Sequence, residues 1–284
     1  MPEPQRASDY TPETYAVARA SLLHLTTVLG DLIADATVVG GMVPSLITPI
    51  PEDPAVDTHV GTTDVDIALP LAVLDGNRYH AMADRMRRAG FAPDVNERGN
   101  ATIQRWVLQE APRATVDFLI PQASRVEAEQ RIHNLEPDFG ALVTRGLSDA
   151  IKTRVHVRID GHTLDGARVA RDVWVCGPDG FLVLKALAFR NRGEGKDAYD
   201  LYYVLKHHDV RAAGIGSRLR VLRDRDPIDP DAIDDAVRTL REDFGGIDGL
   251  GPTRAADFLA TGSEDDVRAD VAAHVAALLR ALAS

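Results

Sequence analysis

Apolar residues recur at helical spacing from Tyr15 through Leu22, Leu25, Leu29 and Ile33, and Thr11-Pro12-Glu13 places a cap residue and a first-turn proline ahead of them. A helix is predicted there. An apolar strand then ends at Val39, Gly40-Gly41 follows, and Met42 to Leu46 is suited to start a second helix. Beyond a loop containing Pro49, Pro51 and Pro54, the run Asp64-Val65-Asp66-Ile67-Ala68-Leu69 alternates with the period of a strand. Asn77 to Gly90 returns to helical spacing, with Met82 and Met86 on its core face. Two β-rich runs come next, Thr102 to Leu108 and Ala114 to Pro121, separated by Pro112. Residues 122 to 150 read as mostly helical or irregular. Arg154 to Leu164 alternates around Asp160-Gly161, a hairpin turn signal, and Val173 to Cys176 is the last strand candidate.

From Asp179 onward the spacing is helical throughout. Phe181, Leu184 and Ala188 form one stripe, Gly193-Glu-Gly195 breaks it, and a further helix follows. Pro230 to Phe244 and the stretch from Ser263 to Leu282 give two more, the latter opened by a Ser263-x-x-Asp266 capping box. Gly245-Gly246 and Gly249 to Pro252 read as their linker, and residues 1 to 10 as a polar, frayed end. The expected architecture is α/β: residues 1–178 forming a small mixed sheet with flanking helices, and residues 179–284 forming an α-helical domain that closes over the sheet, with the active site in the cleft.

Composition narrows the function classes. The chain has 284 residues, 45% apolar and 26% charged, as in ordinary globular proteins. No run of 18 consecutive apolar residues occurs and no signal-type segment follows the N-terminus, so a cytoplasmic protein without membrane association is expected. The lone Cys176 excludes an internal disulfide and reads as a buried thiol. A net charge of −11 argues against a generic nucleic-acid coat, while leaving room for a local basic surface. Of 32 basic residues only Lys152, Lys185, Lys196 and Lys206 are lysine. Two of these, Lys185 and Lys196, fall in the stretch from Lys185 to Leu201.

Side chains two apart on a strand share a face, so Asp64 and Asp66 project together. Adjacent carboxylates repel unless a cation lies between them, which makes the pair either a clamp for a hard divalent ion or an exposed strand end. Asp117 lies inside an apolar run, where a lone carboxylate needs a partner. Gly40-Gly41 after a strand allows backbone N–H groups to approach phosphate oxygens. Downstream, Lys185 and Arg192 lie seven apart, on one edge of a helix; Lys196, Asp197 and Asp200 are spaced to face one place on the next. A solvated salt-bridge face is the bland reading of those charges, and His59, in the proline-rich loop, reads as solvated.

Gly40-Gly41 followed by Thr62-x-Asp64-x-Asp66 resembles the signature of the DNA polymerase β-like nucleotidyltransferase superfamily. The block from Lys185 through Arg192-Gly193 to Lys196-Asp197-Ala-Tyr199-Asp200-Leu201 resembles that of AbiEii-type nucleotidyltransferases, the toxins of bacterial type IV toxin–antitoxin systems. The resemblance spans about residue 36 to about residue 205. It implies a nucleotidyltransferase fold with a helical C-terminal domain. It also implies Mg²⁺ or Mn²⁺ held by Asp64, Asp66 and Asp117, with an NTP triphosphate cradled by Gly40 and Gly41 with help from Thr62. Lys185, Arg192 and Lys196 are then expected to meet phosphate charge, and Asp197 and Asp200 to orient them or assist deprotonation of the acceptor hydroxyl. By the same resemblance the acceptor is RNA, in the studied relatives the 3′ end of tRNA, and an antitoxin protein is the neutralising partner. Arg85, Arg87, Arg88, Arg98, Arg105, Arg218, Arg220 and Arg223 are candidates for an RNA surface. Transfer to a small molecule or a protein, or a non-catalytic nucleotide-binding module, are the alternatives.

Overall fold

The structure, a computed structural model, describes residues 4–49, 58–70, 76–96, 98–109, 115–122, 131–225 and 227–284. Pro51, Pro54, Pro112 and Ala114 lie outside the described residues. The chain forms two compact units: Pro12–Met42 with Thr62–Cys176, and Met1–Thr11 with Val43–Gly61 and Gly177–Ser284.

The first unit is built on a mixed sheet. Among the described residues its strands are β1 (Thr37–Val39), β2 (Asp64–Ala68), β3 (Phe91–Val95), β4 (Ala101–Leu108), β5 (Thr115–Pro121), β6 (Ile132–Glu136), β7 (Phe139–Thr144), β8 (Val155–His162) and β9 (Arg168–Val175). The order is β3-β4-β5-β2-β1-β9-β8, with β7 joined to the end of β5 and β6 to β7. β2 runs parallel to β5 and antiparallel to β1, in a register that places Asp66 beside Val39 on one side and Asp117 on the other. Period-two alternation then does the sorting. Val65, Ile67, Val116 and Phe118 are buried on one face, and Asp64, Asp66 and Asp117 emerge half-buried on the other.

Helix α1 (Pro12–Leu29) covers this sheet with Leu22, Leu23, Leu25 and Leu29, each at most 1% exposed. Burial of each such side chain contributes roughly 1.5–3 kcal/mol. With the turn that follows, Pro12–Ile33 is long and apolar enough to cross a membrane by length and composition. Its apolar residues are occupied against β8, β2 and α3 (Gly76–Arg88), whose Met82 and Met86 are fully buried.

Two expectations for this unit change. Ile132–Glu136 and Phe139–Thr144 form β6 and β7, because β7 pairs with β5 and β6 with β7; among the described residues of 122–150 the helical reading holds for α4 (Leu147–Lys152), and residues 123–130 lie outside the described residues. Asp160-Gly161 is not a turn: β8 runs through it to His162, and the hairpin turns at Thr163–Ala167, where Thr163 N–H donates to the Ala167 carbonyl. Gly161 lies close under α1, where a Cβ would come within 3.1 Å of Leu23 Cδ1. Pro93 lies in β3, an edge strand that tolerates proline beside its bulge.

The second unit is helical: α2 (Val43–Ile47), α5 (Pro178–Arg192), α6 (Gly195–His207), α7 (Arg211–Arg225), α8 (Pro230–Phe244), α9 (Leu250–Leu259) and α10 (Glu264–Ala283). Gly193, in the left-handed conformation at φ 66°, ends α5. The expected linker Gly249 to Pro252 is instead the start of α9: Gly249 is its N-cap, and Pro252 falls in the first turn, where no helical donor is missed. Ser263 caps α10 without a side-chain hydrogen bond, so the capping box does not form. Residues 7 to 10 are ordered too. Ala7–Asp9 make a 3₁₀ turn, and Tyr10 packs on Phe258 in a cluster with Tyr199 and Tyr203.

Candidate metal centre

In the sheet unit, Asp64, Asp66 and Asp117 each offer one carboxylate oxygen, and those three atoms lie within 4.8 Å of one another. Asp64 and Asp66 share a face of β2, and the parallel register sets Asp117 of β5 level with Asp66. Thr62 Oγ1 donates to Asp64 Oδ1 and fixes one carboxylate from below the strand. Gly40, at φ +70°, opens a 3₁₀ turn, Gly40–Met42, that packs on β2, and a Cβ added there would overlap the Asp66 carboxyl group. Glycine is therefore demanded twice at position 40, by conformation and by space. Gly41 lies within the same turn. The helix that follows in the chain, α2, has five residues.

Arg105 was not foreseen as part of this centre. It stands opposite Asp117 in the β4–β5 ladder, and its Nε lies 2.8 Å from Oδ1 while Nη2 lies 2.8 Å from Oδ2. Burial pushes the Asp117 carboxyl above the usual range; Arg105 opposes this and the Asp64 charge reinforces it. Three carboxylates and one guanidinium leave a formal charge of −2, which one divalent cation would balance. An all-oxygen carboxylate set of this kind suits hard ions such as Mg²⁺ or Mn²⁺.

The helical unit gathers the second group. Lys185 of α5, its side chain 8% exposed, lies 2.9 Å from Asp197 Oδ1 and 2.7 Å from Asp200 Oδ2. The Arg192 guanidinium, reaching from the end of α5, holds both oxygens of Asp197 at 2.6 and 2.8 Å. Lys196 Nζ donates to Asp200 Oδ1. Asp197 and Asp200 are fully buried, so this is no solvated salt-bridge face. Burial by itself would neutralise these groups. Lys185 nevertheless has its pKa raised, because Asp197 and Asp200 outweigh desolvation. Asp200 is held far below the carboxylate range by Lys185 and Lys196, and Asp197 below it by Lys185 and Arg192. Lys196 goes the other way: burial, with the Lys185 charge adding to it, outweighs Asp200 and lowers its pKa.

His59 corrects the sequence reading most sharply. Its side chain is 2% exposed, with Nε2 2.8 Å from Asp200 Oδ1 and Nδ1 2.8 Å from Ser45 Oγ. The ring stacks on Tyr199 and meets Tyr203 edge-on, with centroids 5.4 and 5.0 Å away. Burial, with Lys196 adding to it, lowers the imidazole from 6.5 to about 4 despite Asp200. No local signal could have shown this, because its partner is 141 residues away.

Several of the arginines expected on an RNA surface are engaged by the chain itself. Arg85 meets Asp31, Arg87 meets Asp84 and Asp138, Arg105 meets Asp117, Arg218 meets Asp179 and Arg223 meets Asp224. The site residues predicted from sequence thus fall into two groups, Gly40, Gly41, Thr62, Asp64, Asp66 and Asp117 in the sheet unit, and Lys185, Arg192, Lys196, Asp197 and Asp200 in the helical unit. No protein-family model and no curated protein matches the chain.

Proposed function

We propose that this chain is a metal-dependent nucleotidyltransferase with a fold of the DNA polymerase β-like kind, moving a nucleoside monophosphate from an NTP to a hydroxyl of RNA. The convergence of Asp64, Asp66 and Asp117 from adjacent strands, with the Gly40 backbone pressed against Asp66, carries this reading. A mere binding module has no need to gather three like charges within 4.8 Å. Asp64 and Asp66 would hold two divalent ions, Mg²⁺ or Mn²⁺, and Asp117 one of them. Such ions, when bound, stabilise the attacking and leaving oxygens of a phosphoryl transfer. The chain's own contribution is positioning and charge. Gly40, Gly41 and Thr62 receive the triphosphate, Lys185, Arg192 and Lys196 supply positive charge, and Asp197 and Asp200 orient them.

The acceptor proposed is the 3′ end of tRNA, and the consequence a block of translation of the AbiEii toxin type, relieved by an antitoxin protein in the cytoplasm. A second reading is favoured by the arginines already paired within the chain and by the net charge of −11: transfer to a small molecule or a protein. Incubation with each labelled NTP, Mg²⁺ and total cellular RNA separates the two. Label in tRNA that falls steeply with salt supports the first, since each phosphate contact releases counterions. Salt-insensitive label in a small metabolite selects the second, and no transfer to any acceptor with any NTP overturns both.

A further inference from the structure

Asp200 Oδ1 receives two donors, Lys196 Nζ and His59 Nε2, whereas Oδ2 is buried beside the Lys185 ammonium alone among the described residues. His59 is in turn fixed from behind. Its Nδ1 lies 2.8 Å from Ser45 Oγ and 3.1 Å from the Gly61 N–H. The Gly61 amide can only donate, so Nδ1 is an acceptor and the proton resides on Nε2, facing Asp200. The Val60 N–H donates to Tyr199 Oη at 3.2 Å, clamping the same loop onto the ring that stacks on His59.

Ser45, His59 and Asp200 have the connectivity of a nucleophile, base and acid, but the surroundings speak against that role. Asp200 is already compensated by two lysines, and Nδ1 is shared between the serine and a backbone amide. Burial and the neighbouring Lys196 also make the imidazole a weak base.

We propose that His59 is a positioning residue: held as the Nε2–H tautomer by Ser45 and Gly61, it donates to Asp200 Oδ1 and thereby fixes the Asp200 carboxylate with Oδ2 turned to Lys185, so that Asp200 holds the Lys185 and Lys196 ammonium groups in place. The catalytic consequence rests on the nucleotidyltransferase reading above; the tautomer does not. A carboxylate gripped through one oxygen by two donors cannot rotate about its Cβ–Cγ bond, and the ammonium groups it anchors serve a phosphate only from a fixed place.

Two variants separate positioning from packing. His59→Phe keeps the stack on Tyr199 and removes the donor, whereas His59→Gln restores an N–H able to reach Asp200. The expected result is a fall in kcat of about tenfold or more for the phenylalanine variant, at unchanged KM for NTP, with the glutamine variant within about threefold of the parent. Parent-level kcat in folded His59→Phe overturns the proposal, as does a glutamine variant no better than the phenylalanine one. Imidazole ¹⁵N resonances give a readout that needs no activity. A neutral ring protonated on Nε2 between about pH 5 and about pH 8 is expected. A proton on Nδ1, or a cationic ring in that range, overturns the proposal even if the chain proves to be a transferase; the expected tautomer in a chain that transfers no nucleotide leaves His59 the anchor of Asp200 and overturns the transferase reading alone.

Discussion

Arg105 faces Asp117 across the β4–β5 ladder and grips both of its oxygens, so the third carboxylate of the metal centre already has a cationic partner. A guanidinium on Asp117 lowers the attraction of the centre for a divalent ion while keeping the carboxylate oriented. Arg105→Leu is therefore expected to tighten Mn²⁺ binding by about tenfold, read by calorimetric titration. Weaker binding in the variant would mean that orientation by Arg105 outweighs its charge.

Gly40 permits no side chain. Gly40→Ala adds a Cβ in the left-handed region and into the Asp66 carboxyl group, which forces β2 or the turn to move. A loss of about 1–3 kcal/mol in denaturant unfolding is expected, together with loss of Mn²⁺ binding. A variant that binds Mn²⁺ like the parent would show the close approach to be incidental.

Asp66→Ala removes one of three mutually repelling carboxylates. Stability without metal should change by less than about 1 kcal/mol, while the added stability from Mg²⁺ or Mn²⁺ and all nucleotide transfer disappear. Thermal unfolding with and without the ion measures the first effect and labelled NTP the second; transfer at the parent rate would refute the metal clamp.

Lys185 is compensated by two buried aspartates, and its removal takes the ammonium from Asp200 Oδ2 and leaves Asp197 to Arg192. Lys185→Met should cost about 3–5 kcal/mol in denaturant unfolding at neutral pH, where an exposed salt bridge would cost at most about 1 kcal/mol. A loss below about 1 kcal/mol would show that Arg192 and Lys196 suffice to hold Asp197 and Asp200.

Acid stability should fall in two stages. His59, lowered from 6.5 to about 4, favours the folded state while neutral, so its contribution is present above pH 6.5 and is lost as pH falls toward 4. Asp197 and Asp200, also lowered, contribute above the ordinary carboxylate value and lose that contribution below it, while the raised Asp117 works in the opposite sense. His59→Phe should flatten the first stage, leaving the part that His208 and His274 contribute, and weaken the second, since His59 also lowers Asp200. Urea unfolding from pH 8 to about pH 3 measures both, and a first stage unchanged in the variant would assign it elsewhere.

The metal centre was legible in the sequence because its logic is local. Asp64 and Asp66 declare themselves by period-two spacing, and Asp117 by being charged inside an apolar strand. What joins them to Arg105 is strand register, which no local pattern specifies. Residues 132–144 misled for a related reason: Ile132–Glu136 alternates poorly and becomes a strand only by pairing with β7. At Asp160-Gly161 a turn dipeptide was present, but its glycine serves the approach of Leu23 instead. His59 lay beyond reach, since Asp200, Tyr199 and Tyr203, which pair with it and pack on its ring, come from a helix far along the chain.

The polypeptide passes from one unit to the other at Thr11/Pro12, Met42/Val43, Gly61/Thr62 and Cys176/Gly177. Neither unit is thus a contiguous gene segment. A C-terminal fragment starting at Gly177 carries Asp200 without His59 or Ser45, and the complementary fragment carries His59 with nothing to receive its proton. Exchanging C-terminal halves between two such proteins would hand Asp200 a loop selected for another aspartate, so chimaeras joined at Cys176 should fail where chimaeras that also carry Val43–Gly61 succeed.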